Sequence, residues 1–131
     1  MKRSGILNPQ LNSVLASLGH TDRLAIADCG LPIPPEVERV DLSLVQGTPR
    51  FLDVVAAIVG EIVIQQATVA EQMRAQNPTM LDGLRGHLEG VPIDEVPHED
   101  LKARLRAVKA VVRTGESTPF ANVILECGVA F

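Results

Sequence analysis

Aromatic residues are scarce in this sequence. Its 131 residues include no Trp, no Tyr and only three Phe, at positions 51, 120 and 131. The 12 basic and 16 acidic side chains give a net charge of −4. Nucleic-acid-binding proteins use basic grooves and stacked aromatic rings, and peripheral membrane proteins use basic surfaces to reach anionic lipids. The composition therefore argues against nucleic-acid and membrane partners.

Long apolar runs and closely spaced metal ligands are also missing. The longest apolar candidate, residues 51–59, contains Asp53 and is followed by Gly60, so no segment reaches the ~18–20 apolar residues of a membrane span. The N-terminus lacks the apolar segment of a signal peptide. Cys29 and Cys127 lie far apart and form no metal-spaced pair. We therefore expect a cytoplasmic protein that binds no metal and keeps both thiols reduced.

The sequence contains no motif for a nucleotide cofactor or a covalent nucleophile. Gly115 is isolated, and neither a GxGxxG nor a GxxxxGK pattern occurs. No Ser or Cys lies in a nucleophile-elbow context. We therefore expect a protein without a cofactor, in which acid/base chemistry is the remaining catalytic option.

The apolar pattern predicts alternating helices and strands along residues 1–131. Asn8-Pro9 is a helix-start signal, and cap-plus-proline pairs recur at Thr48-Pro49 and Asn77-Pro78. Short apolar runs predict buried strands at 24–27, 110–112 and 123–125. We expect one three-layer α/β domain, with a central, mostly parallel or mixed sheet flanked by helices. The apolar C-terminus, residues 129–131, is expected to pack against the core or a neighbouring subunit.

His20 is the first candidate for acid/base chemistry. It follows Gly19 at the predicted end of the first helix. Imidazole titrates near neutral pH and can accept and donate a proton in one cycle. Asp22, or a carboxylate from elsewhere, could orient the ring. A plain role as a helix C-terminal cap fits the spacing equally well.

Asp28 and Asn122 are candidates for binding a hydroxylated ligand. Asp28 ends an apolar strand, and ligands of open α/β sheets gather at the carboxyl ends of strands. Asn122 begins a strand after the polar loop 113–122, and its amide is both donor and acceptor. Turn-forming roles explain either residue about as well.

The remaining polar candidates have plainer interpretations. His98 follows Pro97 at a predicted helix start, and an exposed helix terminus is the simpler explanation. His87 is expected on the surface of a helix. Arg113 and Glu116 could pair to stabilise their loop, although a solvated loop is the simpler expectation.

Several segments resemble one known family. Gly19-His20-Thr21-Asp22, the run 28–34 (Asp-Cys-Gly-Leu-Pro-Ile-Pro) and the run 113–122 followed by Gly128-Val129 resemble the two signatures of the D-ribose pyranase family. These are ribose mutarotases within a wider ribose pyranase and fucose mutarotase family. The intervening Asp41-Leu42, 47–51 and Asn77-Pro78 also fit, in the expected order. The resemblance spans the chain.

The resemblance implies a cytoplasmic isomerase that interconverts pyranose and furanose forms of D-ribose without a cofactor. It assigns the proton donor to His20 and the substrate contacts to Asp28, His98, Phe120, Ala121 and Asn122. The family usually has Tyr where this chain has Phe120, so a contact through a phenol hydroxyl would be lost. The resemblance also implies a homodecamer of two stacked five-membered rings, with sites at subunit boundaries.

Other functions stay open from the sequence. A related mutarotase could act on another monosaccharide such as L-fucose. A non-catalytic sugar-binding oligomer would keep the pocket without accelerating exchange, although binding alone needs no group that titrates near pH 7. A signalling protein phosphorylated on His20 is more remote, since no phosphate-handling partner is evident.

Overall fold

The computed structural model describes residues 1–131. Its five α-helices are α1 (Pro9–Ser17), α2 (Phe51–Val59), α3 (Glu71–Gln76), α4 (Pro78–His87) and α5 (His98–Arg104). Its six strands are β1 (Arg23–Ala27), β2 (Glu38–Asp41), β3 (Ile64–Ala70), β4 (Ile93–Val96), β5 (Ala110–Arg113) and β6 (Val123–Cys127). A 3₁₀ turn, Leu105–Ala107, extends α5.

The strands form one mixed sheet in the order β2-β5-β1-β6-β3-β4. β1 is parallel to β5, which is parallel to β2, and β3 is parallel to β4. β6 is antiparallel to both of its neighbours, β1 and β3. All strands except β6 therefore point the same way. The carboxyl ends of those strands and the amino end of β6 share one edge of the sheet.

The core lies on both faces of the sheet, because alternate residues of the central strands point to opposite sides. On β1, Leu24 and Ile26 pack with the apolar faces of α1–α4, whereas Ala25 and Ala27 pack with α5 and its 3₁₀ extension. Burial on both faces explains why the central strands are nearly continuous apolar runs. The predicted three-layer α/β fold with a mixed sheet is confirmed.

Two of the three predicted helix starts have a different local basis. At α1 the prediction is confirmed, because the Asn8 side chain accepts a hydrogen bond from the Leu11 backbone at 2.8 Å. At α2 the helix begins at Phe51 after Arg50, with no side-chain cap from Thr48. At α4 the side chain of Asn77 does not cap the helix either; it holds a loop of the candidate site.

The helices are short. The longest, α4, has 10 residues, and none is long and apolar enough to cross a membrane.

Candidate functional site

A cleft of about 360 Å³ opens at the sheet edge where β1 ends and β6 begins. Asp28, His98 and Phe120 line it, together with backbone of the loops after β1 and β5. Strand direction explains this meeting, since Asp28 follows β1 and His98 follows β4 at the same edge. The structure thus brings together Asp28 and Phe120, which are 92 positions apart in the chain.

Asp28 is held by a reciprocal pair of hydrogen bonds with Asn122. The Asn122 side-chain amide donates to Asp28 Oδ2, and the Asp28 backbone N–H donates to Asn122 Oδ1, each at 2.9 Å. The Gly30 backbone donates to Asp28 Oδ1 at 3.0 Å, which is the Asx-type turn that the sequence left open. Asn122 is only 1% exposed and Ala121 is fully buried. Both therefore support the cleft from behind Asp28.

His98 and Phe120 form an aromatic pair in the cleft. Their ring centroids lie 5.0 Å apart at an interplanar angle of 85°, an edge-to-face arrangement. The His98 backbone donates to Gln72 Oε1 at 3.0 Å, and its buried Nδ1 has no hydrogen-bond partner. His98 is thus half-buried against a ring, in contrast to the simpler expectation of an exposed helix start.

The wall of the cleft formed by the β5–β6 loop is fixed by Glu116. This carboxylate is 7% exposed and accepts a hydrogen bond from the Phe51 backbone at the start of α2, at 3.1 Å. It also accepts from the Thr118 hydroxyl at 3.0 Å. The suggested pairing of Glu116 with Arg113 is wrong: Arg113 instead faces Asp41 at 3.3 Å. Through these two hydrogen bonds Glu116 joins the N-terminus of α2 to the loop. A carboxylate at a helix N-terminus is favourably placed with respect to the helix dipole.

Asn77 supports the loop beside the cleft, whereas the sequence predicted it as a helix cap. Its side-chain amide donates to Thr118 Oγ1 at 3.1 Å and to the Pro119 carbonyl at 2.9 Å. These bonds hold the loop that leads to Phe120, whose φ of 59° lies in the left-handed region. Asn before Pro also fits a helix cap, so no local signal could have separated the two roles.

His20 lies at the opposite edge of the sheet from the cleft. It precedes β1, whereas Asp28 follows the same strand. Five residues at a rise of about 3.3 Å each place the two edges about 16 Å apart. A small ligand bound at Asp28 therefore does not reach His20 of the same chain.

The His20 ring is held by β3, and Asp22 does not orient it. His20 Nε2 lies 3.1 Å from Gln65 Oε1, and the Gln65 amide donates to Glu126 Oε1 at 2.9 Å. Asp22 Oδ2 instead accepts from the Gly19 backbone at 2.8 Å. The hypothesis of an orienting carboxylate two residues on is therefore wrong, and an amide from another strand occupies that place.

The surface around His20 is apolar and exposed. A second hollow beside it is lined by Leu18, Ile62, Val63 and the last residues of the chain. Val63 is 45% exposed, Val129 44% and Phe131 107%. The predicted packing of the C-terminus against the core is thus not formed within the chain, which leaves an apolar rim around an imidazole. Such a rim is typical of a surface that another protein covers.

Two groups near His20, the Glu126 carboxyl and the Cys127 thiol, have pKa values that differ from their usual ones. Hydrogen bonds from Gln65 and then Arg23 hold the pKa of Glu126 below its usual value. Burial, followed by the charges of Asp22 and Glu126, raises the pKa of the Cys127 thiol. Glu126 is therefore an ionised acceptor and Cys127 a neutral thiol near pH 7. Both cysteines are free thiols.

His87 is exposed at the end of α4 and contacts neither the cleft nor the surface around His20.

No three His, Cys, Asp or Glu side chains lie close enough together to hold a metal ion. The cleft offers a carboxylate, an imidazole, an aromatic edge and loop backbone, which together can bind the hydroxyl groups of a small polar ligand. The separate His20 surface offers a second imidazole, a side chain commonly used in acid/base catalysis.

Known proteins resemble this chain over its whole length. The D-ribose pyranase of Geobacillus kaustophilus is 56% identical over 100% of this chain and 96% of that protein. The structure of Bacillus subtilis RbsD complexed with D-ribose has a TM-score of 0.96, with 43% identity and full coverage of both chains. A Streptococcus pneumoniae fucose mutarotase, solved with L-fucose, shares the fold with a TM-score of 0.78, 23% identity and coverage of 95% and 94%. Since the family description "RbsD / FucU transport protein family" also matches residues 1–130, this chain belongs to that family.

Proposed function

We propose that this protein is a D-ribose pyranase, an isomerase that interconverts the pyranose and furanose forms of D-ribose. The observation that carries this function is the full-length identity to proteins of that name, 56%, 51% and 48% for three relatives. The cleft that contains Asp28 and His98 is suited to a monosaccharide. The fucose mutarotase, at 23% identity, supports the fold alone, so ribose is the favoured sugar.

The reaction changes which hydroxyl oxygen of the sugar closes the ring onto C1. In ring opening, the anomeric hydroxyl loses its proton, the bond between C1 and the ring oxygen breaks, and that oxygen gains a proton. Closure through a different hydroxyl reverses these transfers at the new ring oxygen, so no proton is gained or lost overall. A positioned acid/base group accelerates such transfers about 10²–10⁴-fold, which is sufficient for a sugar that already opens spontaneously.

His20 is the proposed proton donor to the ring oxygen, and the cleft residues are the proposed sugar contacts. Asp28 accepts hydrogen bonds from ribose hydroxyls while Asn122 holds its carboxylate. His98 has an unpaired buried nitrogen that a sugar hydroxyl could satisfy. Phe120 offers its ring edge, and the buried Ala121 fixes the backbone between Phe120 and Asn122.

The distance between His20 and Asp28 leads to an assembled site. We propose that the His20 surface of one copy covers the cleft of a neighbouring copy, which brings the imidazole to the sugar and buries the apolar rim of Val63, Val129 and Phe131. This arrangement agrees with the homodecamer of two five-membered rings that the family resemblance implies. The two free thiols suit a reducing compartment, so we place the reaction in the cytoplasm.

The first test measures ring exchange of D-ribose by NMR saturation transfer. We expect His20→Ala to lose the enzymatic exchange, a fall of about 10²-fold or more, because the proton-transfer group is removed. His20 is exposed, so the variant should fold and should still bind ribose in the cleft. His87→Ala, which removes an exposed histidine from α4, is the matched control and should exchange ribose at the wild-type rate.

Three outcomes would contradict the proposed function. Full exchange activity in His20→Ala would remove His20 from the reaction. Saturable ribose binding without any acceleration by the wild-type protein would identify a non-catalytic sugar-binding oligomer. Faster exchange of L-fucose than of D-ribose would assign the protein to the other sugar.

A further inference from the structure

The surroundings of His20 define which of its two ring nitrogens carries a proton. His20 Nε2 faces Gln65 Oε1 at 3.1 Å, and on the far side of Gln65 its amide nitrogen donates to Glu126 Oε1 at 2.9 Å. Arg23 Nε completes the series by donating to Glu126 Oε2 at 2.8 Å. Four side chains from three parts of the chain thus form one hydrogen-bonded row.

The direction of every hydrogen bond in this row follows from chemistry. The Arg23 guanidinium can only donate, and an ionised Glu126 carboxylate can only accept. The Gln65 amide must therefore turn its NH₂ group toward Glu126 and its oxygen toward His20. An oxygen at that position can only accept, so His20 Nε2 must donate.

The backbone of β3 is irregular at Gln65. Ile64 pairs with Cys127 and Gln66 pairs with Glu126, so Gln65 is the extra residue of a β-bulge. Bulges redirect a side chain and are frequent beside active sites. Gly128 lies against it: an added Cβ there would come within 3.4 Å of Gln65 Cβ and 3.1 Å of Val63. The bulge is therefore the feature that aims Gln65 at His20.

We propose that Gln65 and Glu126 are positioning residues that keep His20 protonated at Nε2, so that Nδ1 is the nitrogen that exchanges protons with the sugar. This inference rests on the proposed function for the sugar alone; the tautomer follows from the row itself. Nδ1 takes the proton from the anomeric hydroxyl, and the resulting imidazolium returns a proton from Nδ1 to the ring oxygen. The proton on Nε2 stays in place throughout.

An acceptor at Nε2 suits both halves of this cycle. Neutral His20 donates one hydrogen bond to Gln65, and imidazolium His20 donates the same one, so the ring need not turn between proton uptake and release. The carboxylate of Glu126, whose pKa is held below its usual value by hydrogen bonds from Gln65 and Arg23, keeps the Gln65 amide in this orientation in both states. Fixed orientation is a large part of what a protein adds to acid/base catalysis.

The substitution Glu126→Gln tests this inference because it should reverse the row. Arg23 still requires an acceptor and takes the new amide oxygen, so the NH₂ group of residue 126 faces Gln65. Gln65 then turns its oxygen toward residue 126 and its NH₂ group toward His20. His20 Nε2 must now accept, and the neutral ring should carry its proton on Nδ1.

The readout is the pair of ring ¹⁵N chemical shifts in histidine-labelled protein, recorded at a pH where imidazole is neutral. The chain has three histidines, and loss of a signal in His20→Ala identifies His20. We expect a protonated Nε2 in the wild type and the inverted pattern in Glu126→Gln. Inversion is the discriminating result, because an imidazole free of contacts in water already favours the proton on Nε2.

Ring exchange gives the second readout. Glu126→Gln should lower the exchange rate at saturating ribose about 10²-fold with little change in KM, since Glu126 does not line the cleft. Glu95→Gln is the matched control: Glu95 is a β4 carboxylate paired with Arg74, its side chain 23% exposed against 20% for Glu126. It should leave both the tautomer and the exchange rate unchanged.

A wild-type His20 protonated at Nδ1, or an unchanged tautomer in a folded Glu126→Gln variant, would overturn the inference. Either result would leave ribose exchange by the wild type intact. An inactive wild type that shows the expected tautomers would instead overturn the proposed function, so the two failures can be distinguished.

Discussion

At the scale of single residues, Phe120 stands where the family resemblance leads us to expect a Tyr. Its ring lines the cleft and meets His98 edge-on at 5.0 Å, and its φ of 59° is unfavourable for a bulky side chain. Asn77 and Glu116 hold the loop that imposes this backbone. Phe120 lacks the hydroxyl that a Tyr would bring, so in the proposed function it contacts ribose only through its ring.

Phe120→Tyr should therefore improve ribose binding without changing the fold. The new hydroxyl would enter the cleft that we propose as the ribose site. One net hydrogen bond contributes about 1 kcal/mol, or about fivefold in KM. Phe120→Leu, which keeps an apolar side chain but loses the aromatic edge, should raise KM. Both are measured as the ribose dependence of ring exchange. An unchanged KM in Phe120→Tyr would show that the added hydroxyl finds no partner on the sugar.

At the scale of structural elements, the cleft depends on how the loop after β2 docks on the loop after β5. The Gly47 backbone donates to the Gly115 carbonyl at 2.6 Å, and the Gly115 backbone donates to the Pro49 carbonyl at 2.8 Å. A Cβ at position 115 would collide with the backbone of Thr48. The isolated glycine of the sequence thus serves close contact between two loops, and it keeps Glu116 at the start of α2.

Gly115→Ala should destabilise the protein by about 1–3 kcal/mol, because backbone must move to admit the methyl group. Gly86→Ala is the matched control: an added Cβ meets nothing within 4 Å, and Ala in a helix should stabilise by about 0.5–1 kcal/mol. Thermal melts at one protein concentration compare the two. Equal melting temperatures for both variants would contradict the tight docking of the two loops.

At the scale of the whole molecule, one strand separates the two halves of the chemistry. β1 carries His20 before it and Asp28 after it, so each chain holds the proposed proton carrier at one edge and the proposed sugar cleft at the other. In the proposed function, assembly of copies brings His20 of one chain to a ribose in the cleft of another. The exposed apolar C-terminus beside His20 indicates which surface is covered.

This arrangement predicts complementation between inactive variants. His20→Ala and Asp28→Asn should each lose ring exchange, but particles co-assembled from both should regain activity. With random mixing, about a quarter of the sites would combine an intact cleft with an intact His20 from the next copy. Asp28→Asn mixed with His98→Ala is the control: both residues line the same cleft, so no site becomes complete. Equal recovery in both mixtures, or in neither, would contradict a site shared between copies.

The elements of the fold and one half of the site could be predicted from local patterns. Apolar runs marked the central strands, and Asp28 was expected at a strand end because ligands collect there, whereas His98 was named as a substrate contact only by the family resemblance. Resemblance to a family supplied the roles of His20 and Phe120. Strand burial and signature motifs are properties of neighbouring residues in the chain, which is why they can be inferred from the sequence.

The connections between distant residues were decided by tertiary structure. The sequence suggested Asp22 or a carboxylate from elsewhere to orient His20, but the antiparallel pairing of β3 with β6, with its bulge, places Gln65 beside the ring and Glu126 behind Gln65. The choice of Asn77 for a loop over a helix cap has the same origin. The sequence by itself determined the strands and helices, the family and the candidate side chains, because each is encoded locally. Which of those side chains meet, and that His20 and Asp28 lie at opposite edges, follows only from strand direction and register.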